Sequence, residues 1–336
     1  MSHITDPQRR EAPHESGGRE APHHSQRRAS PPDPKQGPVI VLGHHGMLGQ
    51  ALMRVATRRG WRALGFSRRS VPGLNLARVP DLAPWFNPLE PALVINAAAI
   101  TDLGANEADP MAAMELHARL PGLLADWGRA SGKPWVQVST DHFWSGNQNV
   151  LHNEAAEVRP PNVYARSKFE GEQLALRDPG CLVLRTNLVG FRGRAGEATF
   201  VEWALGELAR DKPIDTYTDV WASSLEVHQF SEALFDLVAI GVTGRLNLAS
   251  RESTSKADFI EALAQAGGHD VNLLRRVPRP ARQRPRRASA MGLDVARAEA
   301  WLGRRLPELA EVIDAIVASP GMPKPTLERD LDVELA

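Results

Sequence analysis

Short apolar runs alternate with stretches of helical spacing through most of this chain. Residues 39–42 are Val, Ile, Val and Leu, a run that ends in glycine. Unbroken apolarity over so few residues predicts a strand buried on both faces. A helix is expected over 47–59, a second strand over 61–66, a third over 93–96 and a fourth over 134–139. Helical spacing covers 106–130 and 164–176, and a fifth strand is expected over 181–186. This alternation predicts an α/β fold, a doubly wound parallel sheet of the Rossmann kind with helices on both faces.

Beyond residue 190 the pattern loosens. Helices are expected over 200–210, 229–240, 255–266, 295–302 and 309–318, with a late strand over 245–248. Ser255 is placed to cap its helix. Residues 191–320 are read as completing the Rossmann sheet and forming a small C-terminal α/β substrate-binding lobe, after a Rossmann domain over 38–190. Residues 1–37 are rich in Pro, Ser, Gly, His, Arg and Glu, and 321–336 are polar with several prolines. Such segments bury too little to offset their ordering entropy, so both are expected to be loose tails.

Composition narrows the picture. The chain has 336 residues, of which 42% are apolar, enough for a sizeable core. Forty basic and forty acidic side chains cancel, so no net charge recruits nucleic acid or a membrane surface. Cys181 is the only cysteine. With no apolar leader and no long apolar stretch, the expectation is a cytoplasmic protein. His3, His14, His23 and His24 are scattered in the tail without ligand spacing, and no metal site is expected.

The chemistry begins at Gly43, Gly46 and Gly49, a G-x-x-G-x-x-G loop between the first strand and the first helix. Glycine permits a tight turn and close approach of backbone to a pyrophosphate, which the helix start then favours. That context predicts dinucleotide binding, with Met47 and Leu48 supplying N–H groups from the first turn. After the second strand stand Ser67, Arg68 and Arg69. An acid there would hold the ribose hydroxyls of NAD; two guanidinium groups suit a 2′-phosphate instead, and NADP is expected. Asn96, Ala97 and Ala98 end the third strand, where small residues let a cofactor lie close to the backbone.

Tyr164 and Lys168 are four apart on a predicted helix, so both occupy one face. An ammonium beside a phenol eases loss of the phenolic proton, which carbonyl reduction requires as hydride arrives. Thr140, at the end of the fourth strand, can hold the substrate oxygen, and Asp141 can touch a sugar hydroxyl or shape the loop. Taken singly, each has a plain alternative: a surface Tyr–Lys pair, a capping hydroxyl, a turn aspartate.

Together the glycine loop, N-A-A-A-I-T, V-S-T-D, N-V-Y-A-R-S-K-F-E-G-E and L-R-T-N resemble the dTDP-4-dehydrorhamnose reductases over about residues 38–310. The resemblance implies hydride transfer from NADPH to C4 of a nucleotide-linked 4-keto-deoxysugar. It implies a Thr140–Tyr164–Lys168 triad, Asp141 at the family's T-D, and a nucleotide-sugar partner; a homodimer is compatible with it. The chain departs from the family at Asn75, Gly104, His117 and Ser145, all in segments that border the substrate region. Residues 275–287 hold seven arginines. Arg284 is the candidate for the sugar-nucleotide diphosphate, with a solvated basic loop as the alternative. A noncatalytic NADP-binding regulatory subunit, like that of methionine adenosyltransferase, and a nucleotide-sugar epimerase are the competing readings.

Overall fold

The computed structural model describes residues 30–67, 75–146, 148–192, 198–281 and 284–319. Chain order runs β1 (Val39–Leu42), α1 (Met47–Arg58), β2 (Ala63–Phe66), α2 (Ala83–Phe86), β3 (Leu93–Asn96), α3 (Leu103–Ala108), α4 (Pro110–Met114) and α5 (Leu120–Ser131). Then come β4 (Trp135–Val138), β5 (Leu151–His152), α6 (Val163–Ala175), β6 (Cys181–Arg185), β7 (Asn187–Val189) and α7 (Phe200–Leu208). The last third holds β8 (Ile214–Tyr217), β9 (Trp221–Ala222), β10 (Ser224–Glu226), α8 (Val227–Ala239), β11 (Gly244–Asn247), β12 (Thr254–Ser255) and α9 (Lys256–Ala266). It closes with β13 (Leu274–Val277), β14 (Ala290–Leu293), α10 (Ala296–Leu302) and α11 (Leu309–Val317).

Six strands make the main sheet in the order β11-β6-β4-β3-β1-β2, and every pairing in it is parallel. Alternate side chains of a strand point to opposite faces. Val39 and Val41 accordingly enter the core that holds Leu52, Val55, Phe230 and Leu234. Ile40 and Leu42 enter the second core, with Leu124, Trp127 and Trp135. This two-sided burial is why the central strands read as unbroken apolar runs. β1 lies between β2 and β3, so successive crossovers leave it in opposite directions. The crevice beyond the carboxyl ends of β1 and β3 is the switch point at which doubly wound sheets bind ligands.

The expected helix over 106–130 is broken. Asp109 caps a new start at Pro110, because proline cannot donate the helical hydrogen bond and suits only a first turn. Glu115–Arg119 then winds as a π-helix before α5. Order also begins earlier than expected: Asp33 caps a 3₁₀ turn over Pro34–Gln36, inside the segment read as a tail. The expectation for residues 1–29 and 320–336 lies outside the described residues.

Short strands absent from the sequence reading build a second lobe. β12-β9-β14-β5 form one small sheet and β13-β8 another. Val220, Ala222, Ala288 and Met291 pack into a small core there, with Tyr217 against it. Ser255 caps α9 as expected, with Asp258 returning the bond in a capping box. α10 and α11 return to the main domain, burying Ala298, Val312, Ile313 and Ile316 in its larger core.

Candidate active site

The glycine loop turns where β1 ends. Gly43 has φ +79°, and a Cβ there would fall 2.8 Å from Cα of Ala98. A Cβ on Gly49 would fall 2.3 Å from the Gly43 carbonyl oxygen. The loop thus packs directly on the chain after β3, and any side chain would force the two apart. Gly46 caps α1 without a side-chain hydrogen bond, which leaves the first N–H groups of Met47, Leu48 and Gly49 available to an anion. A cradle of glycine and alanine backbone facing an uncapped helix start fits a dinucleotide. Asn96 is buried; it donates to Gln137 at 2.8 Å and accepts from the Ala98 N–H at 3.2 Å, fixing the opposite wall. Ser67 follows β2 as expected, whereas Arg68 and Arg69 lie outside the described residues.

Thr140, Tyr164 and Lys168 come together beyond the carboxyl end of β4. Asn162 caps α6 by accepting from the Ala165 N–H at 2.8 Å, and Glu107 accepts from the Val163 N–H at 2.8 Å. These bonds set the start of the helix that carries Tyr164 and Lys168. Lys168 is 3% exposed, and its Nζ donates to the Val138 carbonyl at 2.7 Å. Burial pulls its pKa down to about 8, while Glu172 raises it. Burial pushes the Tyr164 phenol up to about 12, and a hydrogen bond with Thr140 pulls it back. The phenol therefore holds its proton at neutral pH, as an acid for carbonyl reduction must.

Two histidines pack on that phenol. The His117 ring meets Tyr164 at 5.5 Å between centroids and the His142 ring at 5.9 Å, both near edge to face. The π-helix presents its His117 carbonyl to Gly171 of α6, where a Cβ would overlap it at 1.8 Å. Burial pulls His117 down to about 3, with Lys168 adding to the shift, and His142 down to about 4, with Arg287 and Arg279 adding. Both rings are neutral at ordinary pH.

Asp141 is 3% exposed and accepts from Asn187 Nδ2 at 2.7 Å. Burial raises its carboxyl to about 7, against a lowering by Asn187 and Lys256. Burial likewise lowers Lys256 to about 8; its Nζ sits 4.3 Å from the centroid of the Phe200 ring. Asp141 is thus enclosed, and its neighbours Asn187 and Lys256 reach the adjoining space. That space is a cleft of about 700 Å³ between the main sheet and the second lobe. Arg279, Arg284 and Arg287 line it, with His142, Trp203 and Tyr217 among the other walls. Arg284, the arginine singled out in the sequence, is one of these lining residues. Arg279 and Arg287 share its wall, and only the arginine run signalled them. Asp219 accepts from the Arg279 N–H at 2.7 Å and Asn162 donates to the Arg286 carbonyl at 2.8 Å, tying the arginine loop to both lobes.

The remaining departures from the family sort by position. Ser145 and Gly104 are exposed, and Asn75 accepts from the Ala77 N–H at 3.1 Å as a turn residue. His117 is the one that reaches the phenol. Among the described residues no group of acids, histidines and cysteines is arranged to hold a metal, and no helix is long and apolar enough to cross a membrane.

Comparison with known proteins agrees with this geometry. A family model described as the RmlD substrate binding domain matches residues 37–320. The chain is 28% identical over 295 residues to the probable low-salt glycan biosynthesis reductase Agl14 of Haloferax volcanii, covering 83% of this chain and 97% of that one. It is 30% identical over 251 residues to dTDP-4-dehydrorhamnose reductase of Mycolicibacterium smegmatis, covering 72% and 75%. The crystal structure of dTDP-4-dehydrorhamnose reductase from Bacillus anthracis in complex with NADP superimposes with a TM-score of 0.73 at 20% identity, over 84% of this chain and 98% of that one. A match that spans both lobes and includes the glycine loop and the Thr-Tyr-Lys cluster makes the chain a member of the RmlD substrate-binding family, that of the dTDP-4-dehydrorhamnose reductases.

Proposed function

We propose that this chain is an NADPH-dependent reductase acting on the keto group of a nucleotide-linked 4-keto-deoxysugar. The observation that carries the reading is Tyr164: a protonated phenol whose pKa Thr140 pulls back from the rise that burial causes, one helical turn from a buried lysine. His142, whose ring packs on that phenol, lines a cleft together with three arginines. Bound NADPH supplies a hydride to the carbonyl carbon. Tyr164 gives its proton to the carbonyl oxygen, so that the ketone gains the two electrons and two hydrogens of an alcohol. Thr140 orients that oxygen through its hydroxyl. Lys168, positive in its protonated form, stabilises the phenolate left behind. Arg279, Arg284 and Arg287 supply charged donors suited to a diphosphate. The glycine loop and the first turn of α1 suit the cofactor pyrophosphate, and Ser67, Arg68 and Arg69 belong to the same proposal as its 2′-phosphate site. The cytoplasmic setting expected from the sequence, and the homodimer compatible with it, are part of the proposal too.

The test is oxidation of NADPH, followed at 340 nm, by purified protein given a panel of 4-keto nucleotide sugars, with Tyr164→Phe alongside. Turnover that the variant loses supports the reductase. Tight NADPH binding with no turnover on any sugar refutes it and supports a regulatory subunit.

A further inference from the structure

We infer that His142 contacts the substrate, its neutral imidazole offering the Nδ1–H to a sugar oxygen beside the reacting carbonyl. The inference rests on the reductase reading above and deepens it. His142 stands two residues past Thr140, and its ring both meets Tyr164 at 5.9 Å and lines the cleft. A ligand whose carbonyl lies at the Tyr164 hydroxyl therefore passes this ring.

The state of the ring follows from its neighbours. Nε2 of His142 takes the N–H of Ala288 at 3.2 Å. A nitrogen that accepts carries no proton, so the neutral ring has its proton on Nδ1. His117 provides the contrast. Its Nε2 accepts from the Ile100 N–H at 2.9 Å, which again places the proton on Nδ1. That proton serves Ser167 Oγ at 2.9 Å, and Ser167 in turn donates to the Tyr164 carbonyl at 2.9 Å. Both nitrogens of His117 are spent on protein, and it acts as a brace. Among the described residues Nδ1 of His142 has no protein partner, on a ring that opens to the cleft.

Charge decides what the free donor suits. Arg279 and Arg287 face the ring and, after burial, hold it in the neutral form; Asp141 lies beside it in the chain, and Lys256 lies across the cleft. The arginines already offer full positive charge to phosphate oxygens. An uncharged N–H beside the phenol is matched to a hydroxyl or ring oxygen of the sugar, and a partly buried donor left unpaired favours the ligand that completes it.

The test compares His142→Phe, which keeps an aromatic ring on Tyr164 and removes the donor, with His142→Gln, which keeps a donor. Both are first shown by thermal melting and NADPH fluorescence to fold and to bind NADPH as the wild type does. With the 4-keto nucleotide sugar that the wild type reduces, His142→Phe should lower kcat/KM by about 10- to 100-fold, and His142→Gln should recover most of the loss. A His142→Phe variant within twofold of an active wild type overturns the inference and leaves the reductase reading standing. Calorimetric titration with dTDP-rhamnose reads the contact without turnover. Weaker binding by His142→Phe supports it even if the wild type reduces nothing, and equal binding overturns it. A wild type that neither binds nor reduces any of these sugars overturns both readings.

Discussion

Replacing Glu172 with glutamine should cost this protein more than any other single loss of charge. Glu172 and Arg185 are both 0% exposed, with Arg185 Nη2 2.8 Å from the carboxylate. Arg185 Nε also donates to it at 3.0 Å, Arg245 Nε approaches at 3.1 Å, and Ser139 Oγ donates at 2.6 Å. One negative charge thus serves two guanidinium groups, and Arg185 Nη1 is already buried without a partner. The Arg185 guanidinium lies 5.0 Å from the Phe143 ring centroid and 5.5 Å from that of Trp144, so it has no route to water. Glutamine keeps the shape and the Ser139 contact but removes the counter-charge. Breaking one side of a fully buried ion pair costs about 3–5 kcal/mol. For a chain of this size that lowers the melting midpoint by roughly 4–7 °C. The assay is thermal and urea unfolding of Glu172→Gln, with Glu170→Gln, exposed on the same helix, as the control. Because Glu172 also raises Lys168, the pH at which activity reports that lysine should move down in the variant. A midpoint within about 2 °C of the wild type refutes the claim that this pair is desolvated and uncompensated.

Other consequences follow from the same geometry. Tyr164→Phe should lower kcat by about 10²–10⁴ while leaving the NADPH dissociation constant within about twofold, measured by stopped-flow and fluorescence. Gly43→Ala places a Cβ 2.8 Å from Ala98 at a positive φ, and should abolish measurable NADPH binding in a fluorescence titration. Stability should fall in mild acid. His117 and His142 titrate at about 3 and 4 in the folded chain, below the unfolded value of about 6.5. The unfolded chain therefore takes up protons first as pH drops below 6.5, and stability is full above that pH and lost below it. Asp141, raised to about 7, has the opposite sign and offsets about one histidine between pH 7 and 4. His117→Asn should accordingly lose about 2–3 kcal/mol less than the wild type between pH 6.5 and 4.5 in urea unfolding; an unchanged slope counts against a neutral, desolvated His117.

The main sheet was legible because its inner strands, β1, β3, β4 and β6, are buried on both faces. Residues 93–96 were read to the residue, since nothing polar interrupts Leu, Val and Ile. The second lobe was not legible. Ile214–Tyr217 reads I-D-T-Y, and Trp221–Ala222 is two residues long. Such strands owe their pairing to contacts distant in sequence. The helix over 106–130 was misread because its spacing continues through Asp109 and Pro110, where the chain restarts. At the site, Thr140, Tyr164 and Lys168 were readable because spacing on one helix and one strand end fixes them. His142, Asn187 and Lys256 were not, because three separate segments deliver them to one cleft. His117 was visible as a departure from the family; its contact with the phenol needed the π-wound turn.

That turn makes length a constraint of its own. An α-helix advances about 100° per residue, and the wide turn over Glu115–Arg119 stores one position more than regular winding would take up. Excising a single residue there would let the spiral close up regularly, at no cost in helical hydrogen bonds. It would leave the flanking segments facing as they do now, because the extra position is what the wide turn absorbs, and would remove the local widening that carries the His117 imidazole to the phenol. Along this segment the protein is protected by a count of residues, which no substitution can mimic and one deletion can undo.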